Sequence, residues 1–175
     1  VGLLEYARAH GAIIYYDVNY RSSHRNEVMK ITPNYLENLE YADIVRGSRE
    51  DFDVLYKMRD PDKIYTAEVS FSCKKFICTQ GADTVELRAD QGLKRSYPVP
   101  PTSTVSTVGA GDNFNAGFIY GLLKYGITRN DLAQRLTPEQ WDKVVACGME
   151  FSADCCKSLF NYVSKEFGEQ IKAQR

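Results

Sequence analysis

Ser106-Thr107-Val108-Gly109-Ala110-Gly111-Asp112 leads directly into the apolar-periodic run Asn113 to Tyr125. Three small residues let the backbone turn tightly at a helix start, leaving several N–H groups without intrahelical partners. Those donors, with the positive end of the helix dipole, make a site for phosphate. A carboxylate closing the turn is then the odd residue, because it repels the anion the turn attracts. The pairing makes sense if Asp112 takes a proton from a hydroxyl while the turn holds the phosphoryl group that this hydroxyl attacks. The plainer alternative is a tight strand-to-helix connection in which Asp112 only suits the helix N-terminus. No Gly-Lys-[Ser/Thr] follows, so this is not a Walker loop, and the third glycine of the dinucleotide fingerprint is absent. Protein-kinase signatures are missing as well.

Three weaker patches also hold polar residues where a strand should end. Asp17-Val18-Asn19-Tyr20-Arg21 follows an apolar run. Ligands of open α/β sheets gather outside the carboxyl ends of the strands, so these residues are candidates for binding. Arg21 could hold a carboxylate or phosphate with its planar fork. Equally, Asp17 and Asn19 could bond only their own backbone. Ser48-Arg49-Glu50-Asp51 reads first as a capping arrangement, Ser48 answered by Asp51, which explains both residues without a ligand. Thr79-Gln80-Gly81-Ala82-Asp83 is either a turn that needs Gly81 or one wall of a nucleotide site.

The elements that position these patches alternate along the chain. A helix over 2–10 precedes a strand from Ala12 to Tyr16, whose unbroken apolar run suits a parallel sheet covered on both faces. Thr32-Pro33 opens a second helix with proline at its first position. Ile44-Val45 is a strand, Ser48 opens a helix, and a further helix covers Lys63 to Phe71. Phe76 to Thr79 is a strand, and Thr84 to Arg88 alternates as a hairpin arm. Three of the six prolines lie between Tyr97 and Thr102 and mark an extended loop leading to the glycine turn. A long helix runs from Gly111 to Tyr125. Thr137-Pro138-Glu139-Gln140 is a capping box opening a helix to about Phe160. Strand and helix in alternation give an α/β fold with a largely parallel sheet.

Composition excludes several classes of function. The 175 residues form one domain by size, and the net charge of −1 offers no field for nucleic acid or an anionic membrane. No apolar run is long enough to span a bilayer and none opens the chain as a secretory signal, so the expected location is cytoplasmic. Five cysteines without a CxxC pair argue against a disulfide framework or a zinc site and read as buried thiols. His10 falls where the first helix ends before Gly11. Val1 is no initiator methionine and Gly2 to His10 reads as the later part of a helix. The expectation is therefore the C-terminal portion of something longer.

In their order and spacing, the four patches resemble the ribokinase-like, or PfkB, family of carbohydrate kinases. The family's Asp-x-Asn-x-Arg is intact as Asp17, Asn19 and Arg21, and its Thr-x-Gly as Thr79 and Gly81. Its closing Asp-Thr-x-Gly-Ala-Gly-Asp stands here as Ser106 to Asp112, followed by Phe114, Ala116 and Gly117. This chain departs at Ser106 for the first Asp, at Ser48 for the Asn of Asn-x-x-Glu, at Thr84, and at Ser158-Leu159 for a late Gly-Ala.

The resemblance implies a three-layer, Rossmann-like ribokinase fold with a mainly parallel sheet, its N-terminal part and lid absent. Residues 1–175 would be the C-terminal ATP-binding portion of a single kinase domain. Asp112 would be the general base, and the amides of Gly109, Ala110, Gly111 and Asp112 the anion hole. Thr79, Gln80, Gly81, Ala82 and Asp83 would line the ATP site with Ser48, and the helix at Cys147 would border the adenine. Mg²⁺ would bridge the phosphates largely through water, with Asp51 its contact on this chain. Arg21 would reach the carboxylate of a sugar acid. The acceptor would be fructose-like or 2-keto-3-deoxygluconate-like. A sheet lacking its first strands would expose an apolar edge, so the chain would be cut from a longer enzyme or associate with itself or a partner. The competing reading is a non-catalytic nucleotide-binding or interaction module.

Overall fold

A computed structural model describes residues 2–20 and 26–173. The chain forms two compact units, residues 1–99 and 100–175. The first carries a five-stranded sheet in the order β1 (Tyr15–Asp17), β2 (Ile44–Ser48), β3 (Phe76–Thr79), β4 (Thr84–Ala89), β5 (Leu93–Pro98). Strands β1, β2 and β3 are parallel, whereas β3–β4 and β4–β5 are antiparallel. The sheet is therefore mixed, and the connections dictate it. Helical crossovers link the parallel strands, while Gln80–Asp83 and Asp90–Gly92 are too short to do anything but reverse the chain.

Helices α1 (Gly2–Ala9), α2 (Val28–Tyr41), α3 (Arg49–Tyr56) and α4 (Pro61–Ile64) belong to this unit, the last continuing as one π-helical stretch, Tyr65–Val69. Tyr35 and Leu39 of α2, Phe52 of α3, Ile64 and Val69 meet Val45, Phe76 and Cys78 in one buried cluster. Phe76 and Cys78 alternate along β3, with Val45 of β2 paired beside Phe76, as a sheet face covered by helices requires. His10 ends α1 as expected, its Nδ1 2.8 Å from the Tyr6 carbonyl and its ring stacked on Tyr6.

Strand β1 starts at Tyr15, three residues after the expected Ala12, because Ile14 is engaged by Asp43. Helix α2 starts at Val28, so Pro33 lies inside it rather than at its first position. Proline's fixed φ suits the helix, and the cost is the one N–H that Met29's carbonyl would have received. Strand β5 was not anticipated: Leu-Lys-Arg-Ser-Tyr-Pro is mostly exposed and has no apolar alternation.

The second unit is helical: α5 (Ala110–Lys124), α6 (Arg129–Gln134), α7 (Pro138–Cys155) and α8 (Lys165–Ala173). The capping box at Thr137 is formed as expected. Helix α7 stops five residues before Phe160 because Cys156's carbonyl receives the amides of Val105 and Ser106. Asp154's carboxylate likewise takes the Ser164 amide at 2.6 Å. Helices α5 and α7 pack tightly around Phe114, Phe118, Trp141 and Val144. A Cβ on Gly117 would collide with the Cys147 carbonyl and lie 2.7 Å from Phe151 Cβ. Gly117→Ala is expected to destabilise the fold by about 1–3 kcal/mol through overpacking, read as a lowered urea midpoint at unchanged m.

Among the described residues, no helix is long and apolar enough to cross a membrane. All five cysteines are free thiols, four of them buried and Cys156 half-buried.

Candidate active site

The carboxyl ends of the three parallel strands bring together three of the four patches. Strand β1 closes on Asp17, β2 on Ser48 and β3 on Thr79. Between them lies Arg46, 6 % exposed, on the middle strand. Its Nη1 donates to Asp17 Oδ1 at 3.0 Å and its Nη2 to Thr79 Oγ1 at 2.8 Å. Burial holds the Tyr15 phenol above its ordinary value, with Arg46 lowering it and Asp17 raising it. Burial likewise pushes the Cys78 thiol up to about 12, so it is an inert core thiol. Asn19, just past β1, has φ +40°, a conformation asparagine tolerates better than most residues. Arg21 lies outside the described residues.

Ser48 and Asp51 form the capping box their spacing predicts. Ser48 Oγ accepts the Asp51 amide at 3.1 Å, and Asp51 Oδ2 accepts both the Ser48 amide and hydroxyl at 2.6 Å. Ser48→Ala is expected to cost about 1 kcal/mol of stability, seen in denaturant melts. The same box leaves room for a second role. Only Oδ2 of Asp51 is engaged in the cap, and Mg²⁺ in kinase sites is held by one or two carboxylates, water and substrate phosphates rather than by a protein cage. Among the described residues, no group of three or more His, Cys, Asp or Glu could hold a metal ion. A single acid acting through water fits that donor set.

The turn after β3 is built as expected. Gly81 has φ +62°, Gln80 N–H donates to Thr84 O at 2.8 Å, and Gly81, Ala82 and Asp83 are exposed. Arg49, the first residue of α3, donates to Gln80 Oε1 and Asp83 Oδ2, each at 3.2 Å. Arg49, Gln80, Glu50, Asp53 and Arg59 line a cleft of about 390 Å³ beside the turn.

In the helical unit, Gly109 is the N-cap of α5 with φ +80° and ψ 0°, and no side chain caps the helix. Ala110's amide reaches Thr107 O and Asn113's reaches Gly109 O. The amides of Gly111 and Asp112 meet no acceptor among the described residues, and Asp112 is exposed. Two amides without acceptors thus lie at the positive end of a 15-residue helix, where anions are in general stabilised. Asn113 Nδ2 clamps the turn, lying 2.9 Å from Gly109 O, 3.0 Å from Asn161 O and 3.2 Å from Cys155 Sγ. Burial pushes the Cys155 thiol up, and the nearby Cys156, Asp154 and Asp112 add to the shift. Cys147 is buried in the seam of α5 and α7, where its Cβ lies 3.2 Å from the position a Cβ on Gly121 would take.

Sequence reasoning missed Arg46, Arg49 and Asn113. A charged residue inside the apolar strand Ile44-Val45-Arg46-Gly47 was the available signal for the first. An amide on the apolar side of α5 was the signal for Asn113.

The fold is that of the ribokinase-like kinases. Aminoimidazole riboside kinase from Salmonella enterica, solved with aminoimidazole riboside and an ATP analog, superposes with a TM-score of 0.76 at 21% identity. That match covers 97% of this chain and 56% of the other. Fructokinase from Xylella fastidiosa, solved with bound ATP, gives 0.77 at 18% identity over 99% and 56%. The model of the pfkB family carbohydrate kinases matches residues 2–151, and the chain belongs to that family. It is 31% identical over 124 residues to 5-dehydro-2-deoxygluconokinase of Geobacillus thermodenitrificans and 32% over 126 residues to that of Bacillus anthracis. Each alignment covers 69% of this chain and 37% or 38% of the relative, so the chain spans well under half of those proteins.

Proposed function

We propose that the complete gene product transfers the terminal phosphoryl group of ATP to a hydroxyl of a sugar acid or fructose-like sugar. The uncapped glycine turn at the start of α5, with Asp112 exposed at its end, carries this reading. Amides of Gly109 to Asp112 stabilise the charge that builds on the transferring group. Asp112 accepts the acceptor's proton as that oxygen bonds to phosphorus and ADP leaves. Thr79 to Asp83 and Ser48 line the nucleotide, and the helix carrying Cys147 borders its base. Asp51 would hold a bound Mg²⁺ through water, and the ion would supply neutralisation of the phosphate charge. On this reading residues 1–175 are one portion of a single kinase domain.

The sugar-acid branch is favoured over nucleosides by two things: the Asp-x-Asn-Tyr-Arg pattern and the dehydro-deoxygluconate acceptor in the relatives' names. Arg21 is the group that pairs with the acceptor's carboxylate. The test is ADP release with ATP and a panel of keto-deoxy sugar acids, fructose and ribosides, alongside calorimetry with a non-hydrolysable ATP analogue. Release that depends on the sugar acid supports the assignment. Analogue binding with no acceptor-dependent release would instead make the protein a nucleotide-binding module.

A further inference from the structure

Arg46 is an expensive residue in its place. It is the middle residue of the middle parallel strand, flanked by buried Val45 and by Gly47, and is itself 6 % exposed. Removing a guanidinium from water is costly, and replacing a whole buried ion pair by apolar residues of similar volume often leaves stability unchanged or improves it. Fold stability alone is therefore a poor account of why a cation occupies this site. Geometry is a better one. The planar fork of arginine fixes two partners in a single rigid frame, which a lysine ammonium does not. Here one arm holds Asp17 on β1 and the other Thr79 on β3, each across a strand boundary. The main chain adds a third tie, since Val18 N–H donates to Arg46 O at 2.9 Å.

The two partners open the two loops that matter. Asp17 begins the loop that leads to Asn19 and Arg21, and Thr79 begins the turn to Asp83. A threonine hydroxyl that accepts from a guanidinium has its own proton left to donate. That leaves the Thr79 hydroxyl a proton to donate, suited to an anionic oxygen. We infer that Arg46 is a positioning residue that sets the nucleotide turn through Thr79 and the acceptor loop through Asp17, and so couples the two subsites. The inference rests on the kinase reading above.

The experiment uses the complete protein with Arg46→Met and Arg46→Lys, each alone and combined with Thr79→Val or Asp17→Asn. Circular dichroism and the melting temperature report folding; KM for ATP, KM for the acceptor and kcat report positioning. Arg46→Met removes one partner of an ion pair, so it is expected to melt at a lower temperature yet stay folded, while both KM values rise about tenfold with a smaller change in kcat. Arg46→Lys should recover one KM more than the other, because a single nitrogen on a shorter side chain cannot occupy the positions of both Nη1 and Nη2. Thr79→Val should raise KM for ATP less in the Arg46→Met background than in the wild type, and Asp17→Asn should likewise raise KM for the acceptor less there. A folded Arg46→Met variant with wild-type KM values, or fully additive double variants, overturns the inference. Should Arg46→Met fail to fold, the same cycles built on Arg46→Lys decide by the same criterion. Absence of acceptor-dependent ADP release by the wild-type protein removes the function and this inference together, whereas an active wild type with an indifferent Arg46→Met removes the inference alone.

Discussion

Asp112→Asn is expected to lower acceptor-dependent turnover about 10²–10⁴-fold in the complete protein, the usual worth of a positioned general base. Asparagine keeps the size and planarity of the side chain and still lies in the first turn of α5. What it loses is the capacity to take a proton. The fold should tolerate the change, because Asp112 is exposed. The lost interaction with the helix dipole is worth about 0.3–1 kcal/mol at such a position. Nucleotide affinity should stay level or improve, since the substitution removes a negative charge beside the proposed anion site. Calorimetry with an ATP analogue and steady-state kinetics on the same preparation separate the two effects. Turnover within a few-fold of wild type would remove Asp112 from the role of base.

How far the sequence revealed this site depended on whether the signal was local. Capping boxes at Ser48 and Thr137, the turn at Gly81 and the glycine start of α5 are each written within a few residues, and each is found where its pattern lies. Element ends fared worse wherever a distant group decides them. Helix α7 looks continuous to Phe160 by composition, yet Cys156's carbonyl is claimed by Val105 and Ser106, some fifty residues earlier. Strand β5 exists because β4 offers it a ladder, not because Leu93 to Pro98 favours a strand. Arg46 illustrates the same point at the site. Its partners lie 29 and 33 residues away, so no local window could pair them. Parallel pairing of β1, β2 and β3 is what brings Asp17, Arg46 and Thr79 within reach of one another.

Gly109→Ala is expected to damage stability and catalysis together, and the geometry explains why the two cannot be parted. At φ +80° an L-residue is strained, and the new methyl would lie 2.8 Å from Asn161 Cβ and 3.0 Å from Asn161 O. Strain of this kind costs about 1–3 kcal/mol. Relief requires the turn or the segment at Asn161 to move, but Asn113 bonds both from one amide group. Displacing the turn therefore breaks the clamp, and keeping the clamp retains the collision. Either way the amides of Gly111 and Asp112 lose their aim. Misdirecting one such donor costs about 10²–10³ in kcat in oxyanion-type sites. Urea melts should show a lower midpoint, and kinetics at a temperature where the variant is folded should show kcat reduced by that order with KM for the acceptor little changed. A folded Gly109→Ala variant with undiminished kcat would mean that the turn serves packing alone, because no arrangement satisfying both Asn161 and the alanine methyl leaves the two amides where they are.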